Sequence, residues 1–287
     1  MSTDRLTVLH ASDLQCGKPY LPRAADALVR LAHEIAPDVV VLSGDLTQRA
    51  KVREFRAARA LIERLPAVPV VTVPGNHDVP VYRVWERLLM PFRNWRRAIG
   101  DIDTVTSVDG ATFVALGTAA PRRALVNGRL DSGQMDFARA AFAAVPADDV
   151  RCLVIHHHFV PVPGGEGGPP MPGAAKRVRE IEAMGADLVL GGHVHRLHLS
   201  TSRDLIDGAG PGVPIVACGT TTSRRGRPPE VGANSLTVVC VGAEEVVVTP
   251  YLRAPDDADF AAQPTRSFPR APSSARAGRS TVGNGVP

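Results

Sequence analysis

Cysteine is scarce in this chain, and no two cysteines stand close together. The four present in 287 residues are Cys16, Cys152, Cys218 and Cys240. This spacing excludes a redox or metal site built on a C-x-x-C pair, and we expect reduced, mostly buried thiols. Cys16 is expected to act as a small apolar filler rather than as a soft metal ligand.

Long apolar runs are also missing. None approaches the roughly 20 residues that a membrane-spanning helix needs, so we expect no membrane span. The segment Met1–Arg5 leads at once into a strand-like run and leaves no room for a signal peptide, which favours a cytoplasmic protein. Apolar residues still make up 44% of the sequence, enough for the core of one large domain or two small ones.

Lysine occurs only three times, and the formal net charge is only +4. Five arginines and three aspartates from Arg253 onward account for about half of that charge. A small charge that lies partly in the tail excludes a strong electrostatic footprint for nucleic acid.

Apolar patterns predict a strand–helix alternation in the first part of the chain. Strand-like runs cover residues 6–10, 39–42 and 70–73, and helical spacing lies between them. This rhythm predicts parallel strands with right-handed crossovers. Residues 81–99 are predicted to be helical, with Trp85 and Trp95 as packing anchors. The later part is richer in strands, which indicates a second sheet packed on the first.

Short polar stretches follow these apolar runs. They are Asp13-Leu14-Gln15, Gly44-Asp45, Gly75-Asn76-His77-Asp78, His156-His157-His158 and Gly192-His193-Val194-His195. Carboxylate, carboxamide and imidazole groups at the carboxyl ends of buried strands are the ligands of a metal site with open coordination positions.

In this order the motifs resemble the calcineurin-like metallophosphoesterase superfamily, and in particular its class III cyclic-nucleotide phosphodiesterase and glycerophosphodiesterase branch. The family pattern reads D-x-H, G-D, G-N-H-D, H and G-H-x-H, and Gln15 replaces its first histidine. The resemblance implies an α/β fold, a four-layer α/β/β/α sandwich with mixed central sheets. We expect this domain to cover 1–252, and a disordered Pro/Ala/Arg-rich tail to cover 253–287.

The resemblance also implies a binuclear centre of two divalent ions, with Mn, Fe, Zn or Co as candidates. Asp13, His195 and the bridging Asp45 would hold the first ion. The ligands of the second would be Asp45, Asn76, His157 and His193. By the same matching, His77 would protonate the leaving group and Asp78 would orient its imidazole.

The histidine run and the last motif contain more histidines than one metal needs, so the direction of each side chain decides which of them are ligands. Phe159 stands where family members usually have proline, which selects His157 as the ligand. His156 is then expected to point to the opposite side of the strand end. His193 and His195 are two apart, so on a strand they would share a face.

Gln15 leaves three outcomes open. Its carbonyl oxygen is a poorer ligand for zinc or iron than imidazole, so Gln15 binds a metal weakly or water takes its place. In the third outcome the site has decayed to a non-enzymatic scaffold. We favour the first two, because the other ligands and His77 are all present.

The favoured function is a metal-dependent phosphodiesterase for a small-molecule phosphoester, with attack by metal-bound hydroxide and His77 as general acid. The alternatives are a DNA-repair-type nuclease and an inactive scaffold. Nucleic acid is not expected as a partner, and a homodimer is left open. Arg224, Arg225 and Arg227 are predicted to form an exposed basic loop.

Overall fold

The computed structural model describes residues 6–123, 126–165 and 167–270 of the chain. Within these ranges the chain forms strands that alternate with helices and then follow one another directly. The strands are β1 (Leu6–Ala11), β2 (Val39–Leu42), β3 (Val70–Thr72), β4 (Thr104–Val108), β5 (Ala111–Ala115), β6 (Val150–Val154), β7 (Leu188–Gly191), β8 (His198–Thr201), β9 (Pro214–Ala217), β10 (Asn234–Val241), β11 (Glu245–Arg253), β12 (Ala261–Ala262) and β13 (Arg266–Pro269).

Six α-helices lie in the described part of the chain, together with 3-10 turns at Asn76–Asp78 and Ser202–Asp204. The helices are α1 (Pro22–Ile35), α2 (Val52–Ile62), α3 (Val84–Leu89), α4 (Arg93–Ala98), α5 (Ser132–Ala143) and α6 (Ala174–Ala183). None of these helices combines the length and the apolar character that would let it cross a lipid bilayer.

The strands form two mixed sheets. In the described residues the first sheet has the order β12-β11-β10-β1-β2-β3, with β13 also paired to β11, and the second has the order β4-β5-β6-β7-β9-β8. β1, β2 and β3 are parallel, as are β5, β6, β7 and β9, whereas the outer strands are antiparallel. The carboxyl ends of the parallel strands therefore lie at one edge of each sheet, where ligands usually bind in α/β proteins.

Three apolar layers separate four layers of secondary structure. One lies between the sheets, where Val41 of β2 and Phe113 of β5 are buried. Leu28 of α1 packs with the outer face of the first sheet, and Phe142 of α5 with the outer face of the second. The predicted four-layer α/β/β/α sandwich is confirmed. The unalternating run of β2 is buried throughout because both of its faces are covered.

The segment 81–99 differs from the prediction of one helix. It forms two short helices, α3 and α4, separated at Met90-Pro91, because proline cannot continue the hydrogen bonding of the preceding turn. Trp95 is fully buried and meets the ring of Phe55 edge-on, as a packing anchor would. Trp85 is 77% exposed, so its predicted packing role is wrong.

The prediction that disorder begins at residue 253 is wrong for 253–270. Strand β11 continues to Arg253, and β12 and β13 both pair with it. Phe268 of β13 is buried in the core between the sheets. This apolar contact helps to order a segment whose sequence contains few large apolar residues. Residues 271–287, the rest of the predicted tail, lie outside the described ranges.

Arg270 fastens the end of this ordered segment to the second sheet. Its guanidinium contacts both carboxylate oxygens of Asp187, and the two side chains are only 5% and 1% exposed.

We expect Arg270→Ala to lower the free energy of unfolding by about 3 kcal/mol, because it leaves a buried carboxylate without its cation. Urea unfolding would measure this effect. Arg139→Ala, which removes an exposed pair with Asp136, should cost less than about 1 kcal/mol; equal effects would contradict the prediction.

Candidate metal centre

The polar motifs meet where the two sheets end. Backbone hydrogen bonds join the loops: the Asp13 amide donates to Gly44 O at 3.0 Å, and the Gly192 amide donates to His156 O at 3.0 Å. Glycine is needed at the closest approach, since a Cβ built on Gly75 would overlap the Asp45 carboxylate. The loops of both sheets therefore present their side chains to a common space.

One group of potential ligands contains Asp13, Asp45 and His195. All three side chains are buried, and one donor atom from each lies within 4.8 Å of the others. Asp13 Oδ2 accepts hydrogen bonds from the Ser12 hydroxyl at 2.7 Å and the His193 amide at 3.0 Å. Its Oδ1 faces His195 Nε2 at 3.7 Å. The first three predicted ligands thus converge.

A second group contains His156, His157 and His193, again with donor atoms within 4.8 Å of one another. His193 Nδ1 lies 3.1 Å from Asn76 Oδ1, which brings the predicted amide ligand to the same place. His157 Nδ1 lies 2.7 Å from the Thr118 hydroxyl. The predicted ligands Asn76, His157 and His193 therefore lie together.

His156 does not point away from this group, so that expectation is wrong. Its Nδ1 donates to Ser43 O at 2.7 Å, which turns Nε2 toward Asp45 Oδ1 at 3.5 Å. Anchoring one ring nitrogen on a carbonyl is the usual way to orient a histidine ligand. The geometry therefore makes His156 a stronger candidate than His157 for the histidine beside the bridging carboxylate.

Asp45 lies between the two groups. Its Oδ1 accepts from the His77 amide at 2.8 Å and faces His156, while its Oδ2 accepts from the Gln15 amide group at 3.1 Å. Asp45 is thus a member of the first group, and its Oδ1 also faces His156 of the second. A carboxylate within reach of both groups is placed as a bridge between two cations would be.

The backbone at these positions is unusual. Five site residues have left-handed φ angles, which non-glycine residues rarely adopt. They are Asp13 (φ 53°), Gln15 (φ 50°), Asp45 (φ 52°), His193 (φ 76°) and His195 (φ 57°). Such strain persists where the surroundings fix it, and it clusters at functional sites. It also means that His193 and His195 lie in a turn beyond β7, so the predicted strand geometry for this pair is wrong.

Asp78 does not contact the imidazole that it was predicted to orient. Its carboxylate accepts from the backbone amides of Leu46, Thr47 and Gly75 at 2.8–3.1 Å. Asp78 therefore ties the second motif to the third, which positions Asp45 and Asn76. The His77 ring is oriented instead by Gln48 O, 2.9 Å from Nδ1.

Gln15 turns both ends of its amide to protein groups. Nε2 donates to Asp45, and Oε1 accepts from Arg225 Nη1 at 2.8 Å. The same Arg225 nitrogen lies 2.8 Å from His77 Nε2. Arg225 and Arg227 are half-buried, so their predicted place in an exposed loop is wrong. Arg224 is exposed as expected.

A buried run of hydroxyl residues places Arg225 there, and the sequence analysis missed it. Thr220 Oγ1 donates to Asp13 O at 2.9 Å, and Thr222 Oγ1 donates to Leu14 O at 2.7 Å. The signal in the sequence was Thr220–Ser223, a polar run directly after the apolar strand β9. These hydroxyls fasten the loop of Arg225 to the first motif.

The buried charges strongly affect one another. Burial raises the pKa of Asp13 to about 6, even though His156 opposes the shift. Burial alone would raise the pKa of Asp45, but His156 and His77 outweigh it and hold this pKa well below its usual range. Burial lowers the pKa of His156, but Asp45 and Asp13 reverse the effect and raise it to about 9. Burial, followed by Arg225, lowers the pKa of His195 to about 3. The Asp13 and Asp45 carboxylates on one side and the His156 imidazole on the other thus stabilise one another's charged forms.

The donor set fits two divalent cations. Among the described residues, Asp13 Oδ1 and His156 Nε2 are buried without a hydrogen-bond partner, which is costly unless something else satisfies them. Carboxylate, amide and imidazole donors suit Mn, Fe, Co and Zn. Asp13, Asp45 and His195 would hold one ion, and Asp45, Asn76, His193 and a histidine of the run would hold the other.

Comparison with protein-family models agrees with this geometry. Residues 6–197, well over half of the chain, match the calcineurin-like phosphoesterases. The chain belongs to this family. Calcineurin-like phosphoesterases hydrolyse phosphoric esters at a dimetal centre, so the predicted family and enzyme class are confirmed.

Two curated proteins are similar to this calcineurin-like phosphoesterase. A cAMP/cGMP dual specificity phosphodiesterase of Mycobacterium tuberculosis is 27% identical over 239 residues, which are 75% of this chain and 67% of that protein. A probable cyclic nucleotide phosphodiesterase of Synechococcus is 27% identical over 187 residues, 61% of this chain and 64% of that protein. Each match thus leaves about a third of the relative's length uncovered.

A solved structure shares the fold at lower identity. The dimetal phosphatase from Danio rerio has a TM-score of 0.60 and 13% identity, and the alignment covers 93% of this chain and 99% of that one. At this identity the likeness supports the fold alone.

Above the ligand groups this calcineurin-like phosphoesterase has a pocket of about 280 Å³. Polar, basic and apolar side chains line it. The lining residues are Gln48, Arg49, Asn76, His77, Val81, Tyr82, Val126, Gly167, His193, His195, Arg225 and Arg227. His77 Nε2 and Arg225 thus face the space that a substrate would enter.

Proposed function

We propose that this chain is a metal-dependent phosphodiesterase that acts on a small-molecule phosphodiester, with cyclic nucleotides as the first class to test. The observation that carries the proposal is the position of Asp45 between two groups of buried ligands. Two divalent cations held there would supply the charge that neutralises phosphate oxygens and lowers the pKa of water.

The protein residues have separate tasks in this proposal. Asp13, Asp45 and His195 would hold one side of the centre. Asn76, His193 and one histidine of the run, with His156 favoured over His157, would hold the other. Water loses a proton to solvent and attacks phosphorus as hydroxide, and the bond to the leaving oxygen breaks. His77 gives that oxygen a proton from Nε2, and Gln48 O holds the ring through Nδ1. Asp78 acts only by fixing the loops.

Two observations support a small diester as the substrate. The pocket of about 280 Å³ lies just below the usual range for small-molecule sites, so it suits a small substrate. The names of both curated relatives also specify cyclic nucleotides. An arginine at the pocket and a neutral amide ligand, Asn76, suit a substrate that carries negative charge.

We expect chelation to abolish hydrolysis of bis(p-nitrophenyl) phosphate, cAMP and cGMP, and added Mn²⁺ to restore it. The physical reason is that the buried carboxylates and imidazoles cannot activate water without the cations. Release of p-nitrophenol, and chromatography of the nucleotides, would measure turnover. Circular dichroism would verify that the chelated protein remains folded.

The monoester p-nitrophenyl phosphate is the matched substrate control. Faster hydrolysis of the monoester than of the diester would contradict the assignment as a diesterase. Absence of turnover on any of these substrates with Mn²⁺, Fe²⁺, Co²⁺ and Zn²⁺ would refute the proposed function and favour the scaffold alternative.

A further inference from the structure

The Arg225 guanidinium has neutral partners at the edge of the centre. Its Nη1 lies 2.8 Å from Gln15 Oε1 and 2.8 Å from His77 Nε2. An arginine nitrogen can only donate, so His77 Nε2 accepts and the imidazole carries its proton on Nδ1, toward Gln48 O. Neither contact neutralises the positive charge of Arg225. A half-buried cation beside the pocket is thus available to an anion.

Gln15 accounts for the position of this cation. Its amide nitrogen is held by Asp45 Oδ2, which directs its carbonyl oxygen toward Arg225. A histidine at position 15, as in the family pattern, has no carbonyl oxygen to offer a guanidinium. The glutamine that departs from the pattern therefore supplies one of the two side-chain contacts described for Arg225.

The loop that carries Arg225 is fixed on both sides. Before it, Thr222 is bonded to Leu14 O, and the Arg224 amide donates to Pro19 O at 2.9 Å. After it, the Arg227 amide donates to His195 O at 3.0 Å. A backbone anchored to the first and last motifs delivers the side chain to the same place in each molecule, as a binding residue requires.

We propose that Arg225 binds the phosphate of the substrate, and that Gln15 holds its guanidinium in place while the site is empty of substrate. This inference rests on the proposed phosphodiesterase function. A phosphate oxygen is a stronger acceptor than a neutral amide, because the hydrogen bond is then charge-assisted at both ends. On binding, the guanidinium exchanges Gln15 and His77 for phosphate oxygens. His77 Nε2 is then free to take a proton from solvent and to give it to the leaving oxygen.

The test compares Arg225→Ala and Arg225→Lys with Arg224→Ala, the exposed neighbour, in the metal-loaded protein. Calorimetric titration with inorganic phosphate should show about 10- to 100-fold weaker binding for Arg225→Ala, the worth of a charged hydrogen bond. Arg225→Lys should fall between, because lysine keeps the charge but loses the planar fork. Arg224→Ala should bind phosphate like the wild type. Bound metal and the melting temperature should stay unchanged in all three variants.

Two results would overturn the inference. The first is that the Arg225→Ala protein binds phosphate as tightly as the Arg224→Ala protein. The second is that the Arg225→Ala protein loses metal together with phosphate, which would mean that Arg225 supports the metal ligands instead. The KM for bis(p-nitrophenyl) phosphate should rise in parallel with the phosphate dissociation constant. If the wild type hydrolyses no diester, the proposed function fails, whereas the phosphate titrations still decide the role of Arg225.

Discussion

Asp45→Asn should lower phosphodiester turnover by about a thousandfold. Asp45 is the buried carboxylate that lies between both ligand groups, with its oxygens toward His156 and Gln15. An amide has nearly the same volume but lacks the charge that attracts two cations. Losing about 4 kcal/mol of transition-state stabilisation corresponds to that factor at 1.36 kcal/mol per tenfold change in rate. Steady-state kinetics with bis(p-nitrophenyl) phosphate would measure it, together with metal analysis of the purified variant.

Asp136→Asn is the matched control, because Asp136 is exposed and its ion pair in the described part of the chain is a surface pair with Arg139. It should retain wild-type turnover and wild-type metal content. An Asp45→Asn protein with a full complement of metal and normal turnover would contradict the bridging role. If the wild type and Asp45→Asn both contained no metal and showed no turnover, the scaffold alternative would be favoured.

His156→Gln should weaken metal affinity by at least about 100-fold. It should therefore also lower the metal content and the turnover of the purified protein. A loss of about 100-fold in affinity is the upper end of that seen when only a residue supporting a ligand is removed, and His156 is itself a candidate ligand. Its Nε2 is buried, has no hydrogen-bond partner among the described residues and lies 3.5 Å from Asp45 Oδ1. Glutamine keeps a polar side chain of similar length but offers a weaker donor. Competition with a metal-binding dye would measure the affinity.

The informative comparison is with His157→Gln, since the family pattern selects His157 and the geometry favours His156. We expect the effect of His156→Gln to exceed that of His157→Gln by tenfold or more. His33→Gln, on the exposed face of α1, should leave metal affinity unchanged. A larger loss in His157→Gln than in His156→Gln would return the ligand role to His157.

The sequence predicted those parts of the fold that depend on local patterns. Unbroken apolar runs such as Val39–Leu42 indicate strands covered on both faces, and prolines mark helix ends, as Pro22 does for α1. Pro91 is the same kind of signal and marks the break between α3 and α4. The apolar periodicity around it favours a single helix, which is why the break was not predicted. The ordered strands β12 and β13 were missed because they contribute little apolar area of their own. Pairing with β11 supplies their hydrogen bonds.

The order of the motifs also determined the candidate site. Every predicted ligand belongs to one of the two groups or contacts a member of one, as Asn76 contacts His193 and Gln15 contacts Asp45. Motif order suffices for this, because the carboxyl ends of parallel strands must lie at the same edge of a sheet.

Only the tertiary structure decided where individual side chains point. The direction of Asp13, Asp45, His193 and His195 follows from left-handed backbone angles, and no local pattern of residues predicts these angles. The carboxylate of Asp78 accepts hydrogen bonds from backbone amides 31–32 residues earlier in the chain. Gln15 accepts a hydrogen bond from Arg225, 210 residues later. By itself the sequence determined which residue types gather at one edge of the sandwich. Which atoms face one another was decided by contacts between distant segments, because side-chain direction depends on backbone geometry that packing imposes.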